Sequence, residues 1–119
     1  MAVTGIDHVQ VAAPAGCEPE ARAFYGRLLG LEELPKPEPL AARGGCWFRA
    51  GAQELHVGVE DPFAPARKAH PGLVVDDLDA VAERLGAEGI EVRWDDAIPG
   101  SRRFHAADPF GNRLEFRQA

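Results

Sequence analysis

The stretch Asp108-Pro109-Phe110-Gly111-Asn112-Arg113-Leu114-Glu115-Phe116 decides how the chain is read. Its first half is turn chemistry: proline fixes one φ angle, and Gly111 and Asn112 tolerate positive φ. Its second half alternates polar and apolar residues, as a half-buried strand does. Leu114 and Phe116 then share one face, and Arg113, Glu115 and Arg117 share the other. A carboxylate there is a solvated group, a metal ligand or a base inside a cavity. The rest of the chain has to choose between these.

Composition narrows the choice. The chain has 119 residues, 45% hydrophobic and 27% charged, which fits one domain with a real core. A formal net charge of −6 argues against sequence-independent nucleic-acid binding, which needs a basic surface. No apolar run approaches the roughly 18 residues of a membrane span. The N-terminus lacks the basic start and apolar middle of a signal peptide, so a cytoplasmic location is expected. Cys17 and Cys46 form no CxxC pair and are expected to be plain thiols.

Ile6 to Ala12 alternates as a strand, with Asp7, Val9 and Val11 on one face and Ile6, His8 and Gln10 on the other. Glu18-Pro19-Glu20 suits a first helical turn. Ala21, Phe24, Tyr25 and Leu28 follow at helical spacing, and Gly30 is the expected stop. Residues 31–34 read as a short strand, and the proline-rich stretch 35–45 as a loop. Residues 46–49 and 53–59 read as a hairpin, with Leu55, Val57 and Val59 on one face and Glu54, His56 and Gly58 on the other. Residues 61–67 form a linker.

The pattern then begins again. Residues 69–75 are strand-like, and Asp76 or Asp77 caps a helix whose apolar face is Leu78, Val81, Ala82 and Leu85. Gly89 ends it. Strands are expected at residues 90–94 and 102–107, and the opening stretch completes the set. The result is an α+β fold: two βαβββ modules, at about residues 4–60 and 68–118 of a single domain spanning 1–119, curving as a mixed sheet around a cavity.

His8 and His70 each sit early in the first strand of a module. His56 and Glu115 each sit in the last. Three imidazoles and a carboxylate at matching positions and parity suit a divalent transition metal: Fe(II), Mn(II), Ni(II), Co(II) or Zn(II). Taken singly, each histidine is more often a surface or hydrogen-bonded residue, and Glu115 a solvated one. It is the joint pattern that favours the metal reading. His105 has no matching position in the first half and reads as structural or as a support behind the ligands. Arg113 reads as solvated, with contact to an anionic substrate as the alternative. Trp47 and Trp94 are expected in corresponding parts of the two halves, lining a pocket or buried as core.

Gly5-Ile6-Asp7-His8-Val9, Ala23-Phe24-Tyr25 with Leu28-Leu29-Gly30-Leu31, Val75-Asp76-Asp77-Leu78-Asp79, and Asp108 to Asn112 with Leu114-Glu115 together resemble the vicinal oxygen chelate superfamily. That superfamily includes glyoxalase I, bleomycin-resistance proteins, fosfomycin-resistance enzymes and extradiol dioxygenases. The resemblance implies metal ligation by His8, His56, His70 and Glu115, with Glu115 or His56 moving a proton. It implies a small oxygen-rich substrate held as a chelate, and a homodimer. Bacterial glyoxalase I carries a glutamate where this chain has His56, which weakens that particular assignment. The expected function is therefore a glyoxalase-like metal-dependent lyase or isomerase. The alternatives are a metal-free protein that sequesters a drug or metabolite, and a ring-cleaving dioxygenase.

Overall fold

The structure is a computed structural model and describes residues 1–119. The chain divides into two compact units, Met1–Ala64 and Pro65–Ala119. Each has the order βαβββ and a four-stranded mixed sheet. No helix is long and apolar enough to cross a membrane.

In the first unit, β1 (His8–Ala13) runs parallel to β4 (Gln53–Val59), followed in the sheet by β3 (Cys46–Ala50) and β2 (Glu32–Leu34). The helix begins as α1 (Glu18–Ala21) and widens into a π-helix over Arg22–Leu28, with Leu29 N–H bonded to Phe24 O at 2.9 Å. Phe24 and Tyr25 are its buried residues. Tyr25 packs on Phe48 of β3, ring centroids 5.8 Å apart. Both rings are fully buried, and each such burial contributes about 1.5–3 kcal/mol. The loop expected at 35–45 contains a short 3₁₀ turn, Leu40–Arg43. Glu18 Oε2 then accepts the N–H of Gly45 at 2.6 Å and ties the helix start to the entry of β3.

In the second unit, β5 (Gly72–Val75) runs parallel to β8 (Arg113–Gln118), followed by β7 (Arg103–Ala107) and β6 (Arg93–Asp95). The expected strand at 90–94 is shorter and shifted, since only its last two residues find partners on β7. Asp77 caps α2 (Leu78–Ala87), accepting the N–H of Ala80 at 3.0 Å. Gln118 Oε1 accepts the N–H of Leu78, so the end of β8 also holds the helix start. Leu78 and Leu85 are buried; Val81 and Ala82 are half-buried. Phe104 and Phe116 stack at 4.9 Å on the apolar face of the sheet.

The turn between β7 and β8 is built as its sequence implies. Asp108 Oδ1 accepts the N–H groups of Phe110 and Asn112, and Asp108 Oδ2 accepts the Asn112 side-chain amide, all at 2.9 Å. Gly111 takes a φ of +91°. Asn112 Oδ1 accepts the N–H of Ala66 at 3.0 Å, fixing the start of β8 to the segment that leads toward β5.

Candidate metal centre

Strand parity sets the polar face of each sheet. In the first unit, His8 pairs with Glu54, Gln10 with His56, and Trp47 with His56, so all five side chains lie on the face opposite the helix. His56 is only 4% exposed and is sandwiched between two rings. His8 stacks on one side at 4.2 Å and Trp47 on the other at 4.0 Å. Its Nε2 lies 2.9 Å from Glu54 Oε1. The exposed His8 has Nδ1 at 2.9 Å from Asp7 Oδ2.

In the second unit, the register places His105 opposite Glu115, Arg103 opposite Arg117 and Ala107 opposite Arg113. His70 lies just before β5, and its Nε2 is 3.2 Å from Glu115 Oε1. His105 Nε2 is 3.5 Å from the same oxygen. His70, His105 and Glu115 therefore offer three ligand atoms within 4.8 Å of one another. Arg103 Nη1 donates to Glu115 Oε1 at 3.2 Å, and Nη2 lies 3.1 Å from Asp95 Oδ2.

His105 was not among the expected ligands, and the register explains why it stands beside Glu115. Trp47 faces His56 across β3 and β4, as His105 faces Glu115 across β7 and β8. His105 therefore does have a counterpart in the first half, and that counterpart is Trp47. Trp94 does not correspond to Trp47. It sits opposite Phe104, on the apolar face, half exposed beneath the Arg102 guanidinium at 5.0 Å.

Hydrogen bonds set the tautomers of both imidazoles of this unit. Lys68 O lies 2.9 Å from His70 Nδ1, and a carbonyl can only accept, so we assign the proton to Nδ1. A lone pair is then left at Nε2. Arg113 Nη2, which can only donate, lies 3.4 Å from His105 Nε2, while Asp95 Oδ2 lies 3.8 Å from Nδ1. His105 is assigned the same tautomer. Burial first, and then the nearby Arg113 charge, hold the His105 pKa below the usual histidine value, favouring the neutral ring that binds metals. Burial alone would raise Glu115. The Arg103 guanidinium, which donates to Oε1 and places its charge beside the carboxylate, outweighs it and keeps the carboxyl below its ordinary value, hence ionised.

The donors fit a divalent ion. Two imidazole lone pairs and a carboxylate make the two-histidine, one-carboxylate set that leaves coordination positions open. A carbonyl on one Nδ1 and a carboxylate near the other resemble the outer partners that orient metal-bound histidines. Among the expected ligands, His70 and Glu115 meet in the second unit and His8 and His56 in the first.

The sequence model of the Glyoxalase/Bleomycin resistance protein/Dioxygenase superfamily matches residues 5–116. No curated protein sequence matches the chain. A glyoxalase family protein from Bacillus anthracis is 57% identical, with a TM-score of 0.95 over 99% of this chain and 97% of that one. The lactoylglutathione lyase of Agrobacterium tumefaciens, 24% identical, shares the fold with a TM-score of 0.75 over 98% and 95% of the two chains. An antibiotic binding protein from a Streptomyces species, also 24% identical, does so with a TM-score of 0.76 over 99% and 98%. With nearly its whole length matched, the chain belongs to the Glyoxalase/Bleomycin resistance protein/Dioxygenase superfamily.

Proposed function

We propose that the protein is a glyoxalase-like metal-dependent enzyme of lyase or isomerase type, acting on a small oxygen-rich substrate. The observation that carries this reading is the convergence of His70, His105 and Glu115, whose ligand atoms lie within 4.8 Å of one another. Three lone-pair donors at that spacing, with few protons of their own to share, call for a cation. A divalent ion bound there supplies Lewis-acid stabilisation to adjacent substrate oxygens. The family resemblance also names His8 and His56 as ligands, and these two meet within the first unit.

The side chains then divide the work. His70 and His105 would hold the ion through Nε2, with His70 oriented by its Nδ1 bond to Lys68 O and His105 standing near Asp95. Glu115, held ionised, serves as a ligand and can take up a proton from a substrate carbon or oxygen placed beside it. His56 is the second candidate for proton transfer, held rigidly by the rings of His8 and Trp47. A homodimer forms part of this reading, because β1 and β5 are edge strands carrying the exposed apolar residues Val9 and Val74.

Metal analysis of protein purified without chelator, with melting curves in added Ni(II), Mn(II) and Zn(II), tests it. One ion per chain and a raised melting temperature are expected. Absence of both would favour the second reading, ligand sequestration without metal. The contact supporting that alternative is the one between Arg103 and Glu115, which already gives the carboxylate a cationic partner at 3.2 Å. Iron retention with O₂ uptake on catechols would favour a dioxygenase.

A further inference from the structure

The polar face of the second sheet is crowded with arginine. Arg103, Arg113 and Arg117 share it with His105 and Glu115 through the β7–β8 register. Arg103 bridges Glu115 and Asp95, and Arg117 Nε lies 3.8 Å from Glu115 Oε2. Arg113 differs from both. It is half-buried, its Nη2 is turned to the His105 ring, and it takes part in none of the salt bridges that occupy its neighbours. Its Nε and that of Arg103 are buried without a hydrogen-bond partner.

Glu115 does not require this arrangement. One guanidinium suffices to pair the carboxylate, and Arg103 already does so. Four guanidiniums share this face: Arg93 is paired with Glu91, and the other three stand against two carboxylates, Glu115 and Asp95, in a protein whose net charge is −6. A divalent ion would add two further positive charges to a partly desolvated place. Such an excess is costly unless an anion enters with the ion.

We infer that the ligand of this site carries a carboxylate beside its coordinating oxygen, as a 2-hydroxy or 2-oxo acid does, and that Arg113, with Arg103, recognises that carboxylate. The planar guanidinium fork matches a carboxylate in two parallel hydrogen bonds, whereas a lysine offers only a point charge. Placement of the carboxylate next to a chelating oxygen rests on the metal reading above. Recognition of the anion by Arg113 does not.

Calorimetric titration with oxalate, glycolate and the neutral ethylene glycol tests both, on metal-free and Ni(II)-loaded protein. Wild type, Arg113→Gln and Arg113→Lys are compared after their melting curves confirm folding. Oxalate and glycolate are expected to bind wild type, and ethylene glycol is not. Arg113→Gln should weaken oxalate at least about tenfold, the loss of a charged hydrogen-bonding partner, and Arg113→Lys by less. If the glutamine variant does not fold, a weaker oxalate affinity in the lysine variant supports the assignment and an unchanged one overturns it. Equal oxalate binding by wild type and Arg113→Gln in both metal states overturns it, as does ethylene glycol matching glycolate. Protein that takes up no Ni(II) but binds oxalate through Arg113 would sink the metal reading and leave the anion site standing.

Discussion

His70 Nε2 and Glu115 Oε1 face each other across 3.2 Å, and the carbonyl of Lys68 on the far side of the ring makes that contact one between two acceptors. Only a second proton on the ring or a cation between the two atoms satisfies it. His105 Nε2, 3.5 Å from that oxygen, differs in already having the Arg113 Nη2 donor at 3.4 Å. A single site thus has two alternative occupants, protons or a metal ion, and they compete.

Metal affinity should therefore respond to the ligands and to the groups that orient them. Glu115→Gln keeps the side chain's shape but removes the charge, and the uptake of Ni(II) should fall to background. Asp95→Asn touches no metal in this scheme yet weakens the orientation of His105, and a loss of about tenfold in affinity is expected. Competition titration against a chromophoric chelator measures both. Wild-type affinity in Glu115→Gln would remove the carboxylate from the ligand set.

The sequence made one part of this site plain and hid another. Alternation in Leu55-His56-Val57 and Leu114-Glu115-Phe116 is a strong signal, because burying one sheet face fixes the parity of every neighbour. His105 lacked such a signal as long as it was compared only with the other histidines. Its partner is set by the hairpin: a turn centred on Phe110 pairs Ala107 with Arg113 and so His105 with Glu115. The turn residues Asp108 to Asn112 were legible, and counting outward from them finds the ligand. Trp94 misled for the converse reason, since its place depends on how a three-residue strand registers on β7. Nothing in the local pattern of residues 90–94 specifies that pairing.

Gly45 should tolerate no side chain. Its φ is +86°, and a Cβ would lie 2.1 Å from the carbonyl oxygen of Val57, a backbone atom in the middle of β4. Gly45→Ala is expected to cost at least about 2 kcal/mol, from the left-handed backbone and the displaced strand. Urea unfolding should show a lower midpoint with an unchanged slope. A midpoint equal to that of wild type would mean that β3 and β4 can separate freely at this point.

The bond between Glu18 and the Gly45 N–H also makes a prediction about acid. That bond, more than any other influence, holds the Glu18 carboxyl below its ordinary value. A depressed carboxylate contributes stability that is full above the unfolded value, about 4.3, and is lost as pH falls through the folded one. Glu18→Gln should therefore be less stable than wild type near neutrality, and the gap should close as pH falls below about 4.3. Denaturant midpoints across that range decide the matter. A gap that is constant with pH would assign the Glu18 effect to packing rather than charge.

Asn112 ties the turn chemistry to the metal centre. Its buried amide gives to Asp108 Oδ2 and its carbonyl takes the N–H of Ala66. Asn112→Ala removes one hydrogen bond to a buried carboxylate and one to a backbone N–H together, a loss of about 2–4 kcal/mol. The turn also sets the register that brings His105 opposite Glu115, so metal binding should suffer beyond what stability alone predicts. Asn112→Asp separates the two effects, since it retains the acceptor for Ala66 but places like charge against Asp108. Ni(II) affinity measured well below the melting temperature of each variant should fall for both. If the variants are destabilised yet bind Ni(II) as wild type does, the turn supports the fold without setting the distance between His105 and Glu115.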